Sequence, residues 1–220
     1  MPYTLKYSSE PEGWDKEGNI LSRSKLLELA YELYPKDKNV IIAVGVSDDK
    51  ELKKVKEVLE KGKYVIITQP DEKTYQLLEK ELKEYSNKKI IKDFTFNIGK
   101  YLQKESVDYA ILLNIINWRP TNLLKMIEGL LKILKSDGYV VISFYVHLNP
   151  NAPERKYIIN TPQTFSNLLN SLGKFIAYYS DKNGILACYI LTKRNLKELY
   201  EELLKNYKRL EEERKFYLSN

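Results

Sequence analysis

Five short stretches carry side chains able to do chemistry: Gly45, Ser47 and Asp48 in AVGVSDD, Gln69 and Asp71 in TQPD, Asp93 and Phe94 in KDF, Asn114 in LLNII and His147 in YVHLN. Each follows an apolar run of strand length. Asp71, Asp93, Gln69 and Asn114 can accept hydrogen bonds from hydroxyls or amines, and a phenylalanine ring can pack on a planar ligand. His147 is the only histidine and can act as a general base near neutral pH; its plainer reading is a loop residue with no role in the chemistry. Asp48 and Asp49 put negative charge where a helix N-terminus would otherwise hold a pyrophosphate, which disfavours dinucleotide and nucleoside-triphosphate ligands. There is no G-x-G-x-x-G and no phosphate-binding loop. Asp48 has a structural alternative as well, capping its own helix with Glu51 three residues on. One histidine and one cysteine exclude a metal centre built from those ligands, and no G-x-S-x-G elbow supports a serine nucleophile.

These stretches are far apart in sequence, so a scaffold must bring them together. Its centre is residues 107–146: an apolar run at 109–113, a helix face of Leu123, Leu124, Ile127, Leu130, Leu131 and Leu134, then a β-branched and aromatic run at 139–146. Pro120 stands near the start of that helix and Gly138 just past its end. Strand, helix and strand in this order make a right-handed parallel crossover. Upstream, buried strands are expected at 40–44, 64–67 and 89–91. Helices are expected from Ser22 or Ser24 to Tyr34, from Asp48 to Gly62, and from Pro70 along Tyr75, Leu78, Leu82 and Tyr85. Residues 99–106 read as a connection or short helix. Downstream, Thr161-Pro162 starts a helix through Leu172. Residues 175–180 and 185–192 flank Asp181-Lys182-Asn183-Gly184, an antiparallel hairpin signal. Alternating strands and helices give a doubly wound sheet, whose ligands bind beyond the carboxyl ends of the strands. All five stretches fall at such ends.

The 220 residues, 43% hydrophobic and 30% charged, fit one globular α/β domain with an appendage. No apolar run is long enough to span a bilayer and residues 1–15 lack a signal core, so a soluble cytoplasmic protein with no membrane contact is expected. Cys188, inside the apolar run 185–191, is expected to be a small buried hydrophobe. The net charge of +6 comes from dispersed lysines, without a dense basic block, which leaves nucleic acid a weak third possibility as partner.

The segment KESVDYAILLNIINW, followed by LLKMIEGLLKILKSDGYVVIS, resembles the fourth and fifth strands of class I S-adenosylmethionine-dependent methyltransferases. The resemblance covers about residues 22–194. It implies a Rossmann-like, mostly parallel seven-stranded sheet ending in an antiparallel hairpin, and S-adenosylmethionine as cofactor. It implies Gly45, Ser47 and Asp48 around the amino-acid end of the cofactor and Gln69 or Asp71 at the ribose. Asp93 and Phe94 fall at the adenine, and Asn114 near the transferred methyl. The methyl acceptor is unknown and could be small molecule, protein or nucleic acid. The chain departs from the family pattern in two places: the first loop has one glycine where three are usual, and Gln69 stands where an acid is expected. Those departures, with the amphipathic C-terminal segment, support an alternative, a methyltransferase fold that has lost its cofactor and serves as a binding or scaffold protein acting through its C-terminal helix.

The chain thus divides into an N-terminal arm (1–21), mobile or peripheral; the methyltransferase-like domain (22–194); and a C-terminal amphipathic helix (195–220). In that helix Leu196, Tyr200, Leu203, Tyr207, Leu210, Arg214 and Tyr217 follow a heptad seam. It packs either on its own domain or against a second copy as a homodimer.

Overall fold

The computed structural model describes residues 12–14, 20–22, 30–31, 39–44, 46, 49–112, 120–147, 163–180 and 184–219. The strands are β1 (Glu12–Trp14), β2 (Ile20–Ser22), β3 (Val40–Val44), β4 (Tyr64–Thr68), β5 (Lys88–Ile91), β6 (Val107–Leu112), β7 (Leu134–His147), β8 (Lys174–Ser180) and β9 (Gly184–Thr192). The helices are α1 (Asp49–Glu60), α2 (Glu72–Glu81), α3 (Pro120–Ile133), α4 (Gln163–Leu172), α5 (Lys193–Lys205) and α6 (Tyr207–Ser219), with a 3-10 segment at Thr95–Lys100.

The strands form one mixed sheet in the order β2-β1-β8-β9-β7-β6-β3-β4-β5. Its centre, β7-β6-β3-β4-β5, is entirely parallel, and β9 and β8 are antiparallel to what precedes them. The chain runs outward from β3 through β4 to β5 and then returns to β6 beside β3. The topological switch therefore lies between β3 and β6.

Period-two alternation sorts the strand residues onto two faces. Ile42, Ile66, Ala110, Leu112, Val140 and Ile142 share one core with Leu123, Met126, Ile127, Leu130 and Ile133 of α3. Ile41, Ala43, Val65, Ile67, Tyr109, Ile111 and Val141 share the other with Val55, Val58 and Leu59 of α1 and Leu78 and Leu82 of the α2 region. Helices thus cover both faces, the doubly wound arrangement expected. Cys188 lies in the second core, its thiol pushed up to about 12 by burial, and so behaves as an unreactive hydrophobe.

Several expectations need correction. Part of the N-terminal arm is built into the sheet: β1 pairs with β2 and with the edge of β8. Ser22 is in β2, not at a helix start, while Ser24 lies outside the described residues. α2 is capped by Asp71 rather than opened by Pro70, the Asp71 side chain accepting from the Thr74 backbone N–H. α3 ends at Ile133 and β7 begins at once, with an irregular register against β6 between Val107 and Tyr109. Gly138 is therefore inside a strand, where a β-carbon would meet backbone oxygens of Lys135 at 3.0 Å and Asp108 at 3.2 Å.

The C-terminal segment is two helices, broken where Asn206 caps α5. Leu196, Leu199, Leu203 and Leu210 of these helices are buried in the α3-side core. Glu213 of α6 accepts from the N–H and hydroxyl of Thr164 in α4 at 3.2 and 2.6 Å. Of the seam positions, Leu196, Leu203 and Leu210 are thus used within the chain's own domain, with Tyr200 packed against them.

α3 and the 3-10 segment touch through Gly129 and Gly99; a β-carbon on Gly129 would lie 3.2 Å from the Gly99 nitrogen and 3.4 Å from Ile98 Cγ2. Gly129→Val is expected to destabilise the fold by about 2 kcal/mol through overpacking, read as a lowered urea midpoint at unchanged slope. A variant as stable as wild type would show that this contact is loose.

Candidate functional site

The carboxyl ends of β3, β4 and β5 are tied to one another by side chains. Thr68, the last residue of β4, shares a buried hydroxyl–hydroxyl hydrogen bond of 2.6 Å with Thr95. The next residue, Gln69, donates its backbone N–H to Ile91 O of β5 at 3.0 Å. Its side chain crosses to the other neighbour: Nε2 donates to the carbonyl of Val46 at 3.3 Å, and Oε1 accepts the backbone N–H of Asp71 at 3.0 Å. Gln69 is 5% exposed and Val46 1%. The amide orientation is fixed by its partners, since a carbonyl only accepts and a backbone N–H only donates. Asp71 begins α2; its Oδ2 accepts from both the N–H (2.9 Å) and the hydroxyl (2.8 Å) of Thr74. Those two bonds hold its carboxyl below the usual range.

Asp93 stands just past β5. Its Oδ1 accepts the Phe94 N–H at 2.7 Å and Asn97 Nδ2 at 2.8 Å, and its Oδ2 accepts the Tyr101 hydroxyl at 2.6 Å. Partial burial opposes ionisation, but these three donors outweigh it and hold the carboxyl below its usual range; the same bond pushes the Tyr101 hydroxyl up. Phe94 is 49% exposed. One side of its ring stacks on Phe96, with centroids 5.0 Å apart and planes 10° from parallel. Lys125 of α3 places its ammonium 5.6 Å from the Phe96 ring centre and donates to Asn97 Oδ1 at 2.8 Å. An ionised carboxylate beside a half-exposed aromatic ring can accept from an exocyclic amine while the ring packs on a planar base.

The structure therefore brings Gln69, Asp71, Asp93 and Phe94 to the same edge of the sheet. Gly45, Ser47, Asp48 and Asn114 lie outside the described residues. His147 is the last residue of β7, opposite Gly184 of β9. The sequence reading missed Asn97 and Tyr101, which secure Asp93, and the Thr68–Thr95 pair. Asn97 lies within the 3-10 segment and Tyr101 caps it, and that turn of chain brings both back to Asp93.

No protein-family profile and no curated protein matches the chain. Solved structures do. A SAM-dependent methyltransferase from Aquifex aeolicus is 13% identical, over 77% of this chain and 90% of its own, with a TM-score of 0.55. The N-methyltransferase NodS from Bradyrhizobium japonicum, in complex with S-adenosyl-L-homocysteine, is 11% identical over 77% of this chain and 85% of its own, TM-score 0.55. An arsenic(III) S-adenosylmethionine methyltransferase from Chlamydomonas reinhardtii is 11% identical over 76% of this chain and 73% of its own, TM-score 0.54. At such identities the likeness speaks for the backbone arrangement alone. The chain has the Rossmann-like fold of the class I S-adenosylmethionine-dependent methyltransferases.

Proposed function

We propose that the chain is a methyltransferase that binds S-adenosylmethionine across the carboxyl ends of β3, β4 and β5. In this reading β3 to β9 form the seven-stranded unit and the β1–β2 hairpin is an addition to its edge. The observation that carries the reading is the Asp93–Phe94 pair: a carboxylate held ionised next to a half-exposed ring, at the end of an outer parallel strand.

The described residues fit the cofactor unevenly. Asp93 and Phe94 suit an adenine, through its amine and its face. Gln69 does not suit the ribose hydroxyls, because it is buried and both ends of its amide are engaged. Asp71 does suit them: among the described residues only Thr74 bonds its carboxylate, through Oδ2, which leaves Oδ1 as acceptor on a partly exposed group. Gly45, Ser47 and Asp48 are assigned to the amino-acid end, and Asn114 to the reacting methyl. His147 is assigned as a base for the acceptor nucleophile. The cofactor, when bound, supplies an electrophilic methyl group on a sulfonium centre. What the chain then contributes is alignment and exclusion of water, which are the main requirements of an in-line displacement. None of the described helices is long and apolar enough to cross a membrane, and we place the reaction in the cytoplasm.

Calorimetric titration with S-adenosylmethionine and with its demethylated product tests the proposal. Micromolar binding, worth about −8 kcal/mol, is expected. Absence of heat at millimolar ligand from folded protein would reject it. Asp71→Asn refines the test. Asparagine caps a helix about as well as aspartate, so stability should hold. Its single carbonyl oxygen is taken by the cap, so the ribose meets an NH2 group in place of a charged acceptor, and affinity should fall about tenfold. Unchanged affinity would remove Asp71 from the ribose site.

A further inference from the structure

Gln69 has a place in this fold that its position alone does not reveal. A carboxamide carries one group that donates and one that accepts, and here each meets a backbone group that can only be its complement. The donor end holds the carbonyl of Val46, the residue two beyond β3; the acceptor end holds the N–H of Asp71, the cap of α2. The residue's own N–H is tied to β5 through Ile91 O. The side chain therefore ties the exit of β3 to the cap of α2, while the backbone of the same residue is tied to β5. Turning the side chain toward solvent would leave the Val46 carbonyl, beneath a residue that is 1% exposed, without its partner.

We propose that Gln69 is a positioning residue: its amide clamps the exit of β3 to the cap of α2, and so sets the width of the crevice between them without itself touching a ligand. The consequence runs against the first impression that an amide here marks a decayed site. The side chain of Gln69 holds the carbonyl of Val46 from the neighbouring strand. Asp71 is thereby left at a fixed distance from Val46. The assignment deepens the methyltransferase reading and rests on it for the identity of what occupies the crevice; the clamp itself does not.

The test is Gln69→Glu in the full chain. An ionised carboxylate has the same shape but no donor, so it faces the Val46 carbonyl with two acceptors in contact. The flanking acids, Asp71 and Asp93, add like charge. A protonated carboxyl regains the donor and reproduces the amide. Burial and these neighbours raise the folded-state pKa of the introduced group above its unfolded value of about 4.3. Stability of the variant relative to wild type is therefore retained below that unfolded value and lost as pH rises through the folded one. The expected result is a melting temperature close to wild type near pH 4.5 and clearly depressed near pH 8, a difference roughly as large as one or two pKa units would produce. Titration with S-adenosyl-L-homocysteine near pH 8 should show affinity lowered by about fivefold or more, roughly 1 kcal/mol. A variant as stable as wild type across the range, or one that binds the ligand more tightly, would overturn the proposal and make residue 69 a ligand contact. If wild type binds no S-adenosyl-L-homocysteine while the pH-dependent loss persists, the clamp stands and the cofactor reading falls. If Gln69→Glu folds at no pH, Gln69→Met replaces it. That side chain has similar length and no donor, so a pH-independent loss of stability is expected, and wild-type stability would again overturn the clamp.

Discussion

Replacing Asp108 by alanine is expected to lower the unfolding free energy by about 3 kcal/mol, the largest effect of any single polar side chain described. Asp108 is the second residue of β6 and is 4% exposed. Its Oδ2 accepts the N–H groups of Asn39 and Val40 at 3.1 and 2.9 Å, and its Oδ1 pairs with Lys135 of β7 at 3.0 Å. The β3–β6 ladder registers from Ile41 opposite Tyr109, so the first N–H groups of β3 are satisfied by this carboxylate. One side chain thus fastens the central strand to both the next strand in the sheet and the one beyond it. Alanine leaves two donors at the mouth of the core without an acceptor, while Lys135, 43% exposed, can turn to water. For a chain of this size the loss corresponds to a fall in melting temperature of roughly 6–12 °C. Asparagine should lose less, since its carbonyl still accepts one of the N–H groups.

The same group gives a pH dependence. Burial works against its ionisation, but the Val40 N–H, Lys135 and the Asn39 N–H together hold it below its usual value. The folded pKa is depressed, so the stabilisation is present above the unfolded value of about 3.9 and disappears as pH falls through the folded one. Acid titration of unfolding should therefore show a loss of stability below about pH 4 in wild type that is smaller in Asp108→Ala. A melting temperature within about 2 °C of wild type is incompatible with the pinning role.

Asp108 also shows what could be read in the sequence and what could not. Its neighbours form an apolar run, and the strand, its partners and the parallel crossover to β7 all follow from that pattern. Within the continuous apolar run 40–44 the alternation of a strand then places Ile41 and Ile42 in opposite cores. What the pattern cannot encode is where a polar side chain finds a partner across many residues. Nothing around Asp108 announces Asn39, and nothing around Gln69 announces Val46. The C-terminal heptad shows the same limit from the apolar side. Spacing fixes that Leu196, Leu203 and Leu210 share a face, but not whether that face meets the chain's own core or another molecule. Asn206, which ends α5 by its capping bonds, interrupts a pattern that looks continuous in one dimension. Of the two starts offered for the first helix, Ser22 pairs in an edge strand; Pro70, the start expected for a later helix, precedes a better cap. Both residue types favour helix starts, and spacing alone does not separate such cases.

Replacing Asp93 by alanine should weaken binding of S-adenosyl-L-homocysteine by about 10- to 100-fold, because a charge-assisted hydrogen bond to a neutral donor contributes roughly 1.5–3 kcal/mol. The difficulty is that Asp93 also organises its own surroundings. It holds Phe94 by the backbone, Asn97 by the side chain and Tyr101 by the hydroxyl, so alanine also loosens the 3-10 segment. A loss of affinity in that variant alone could reflect either role. Tyr101→Phe separates them. It removes one of the three donors, leaves the carboxylate in place and frees Oδ2 to accept from a ligand. If Asp93 contacts the adenine amine, Tyr101→Phe binds at least as tightly as wild type while Asp93→Ala binds far more weakly. If Asp93 only braces the segment, both variants lose affinity in proportion to their loss of stability. The ionised state adds a third readout. The carboxyl lies below its usual range, so its contribution to affinity should be constant from neutral pH down to about pH 5 and decline only as the folded pKa is crossed below that. An Asp93→Ala protein that is folded and binds with wild-type affinity would withdraw the residue, and with it the observation on which the methyltransferase reading chiefly rests.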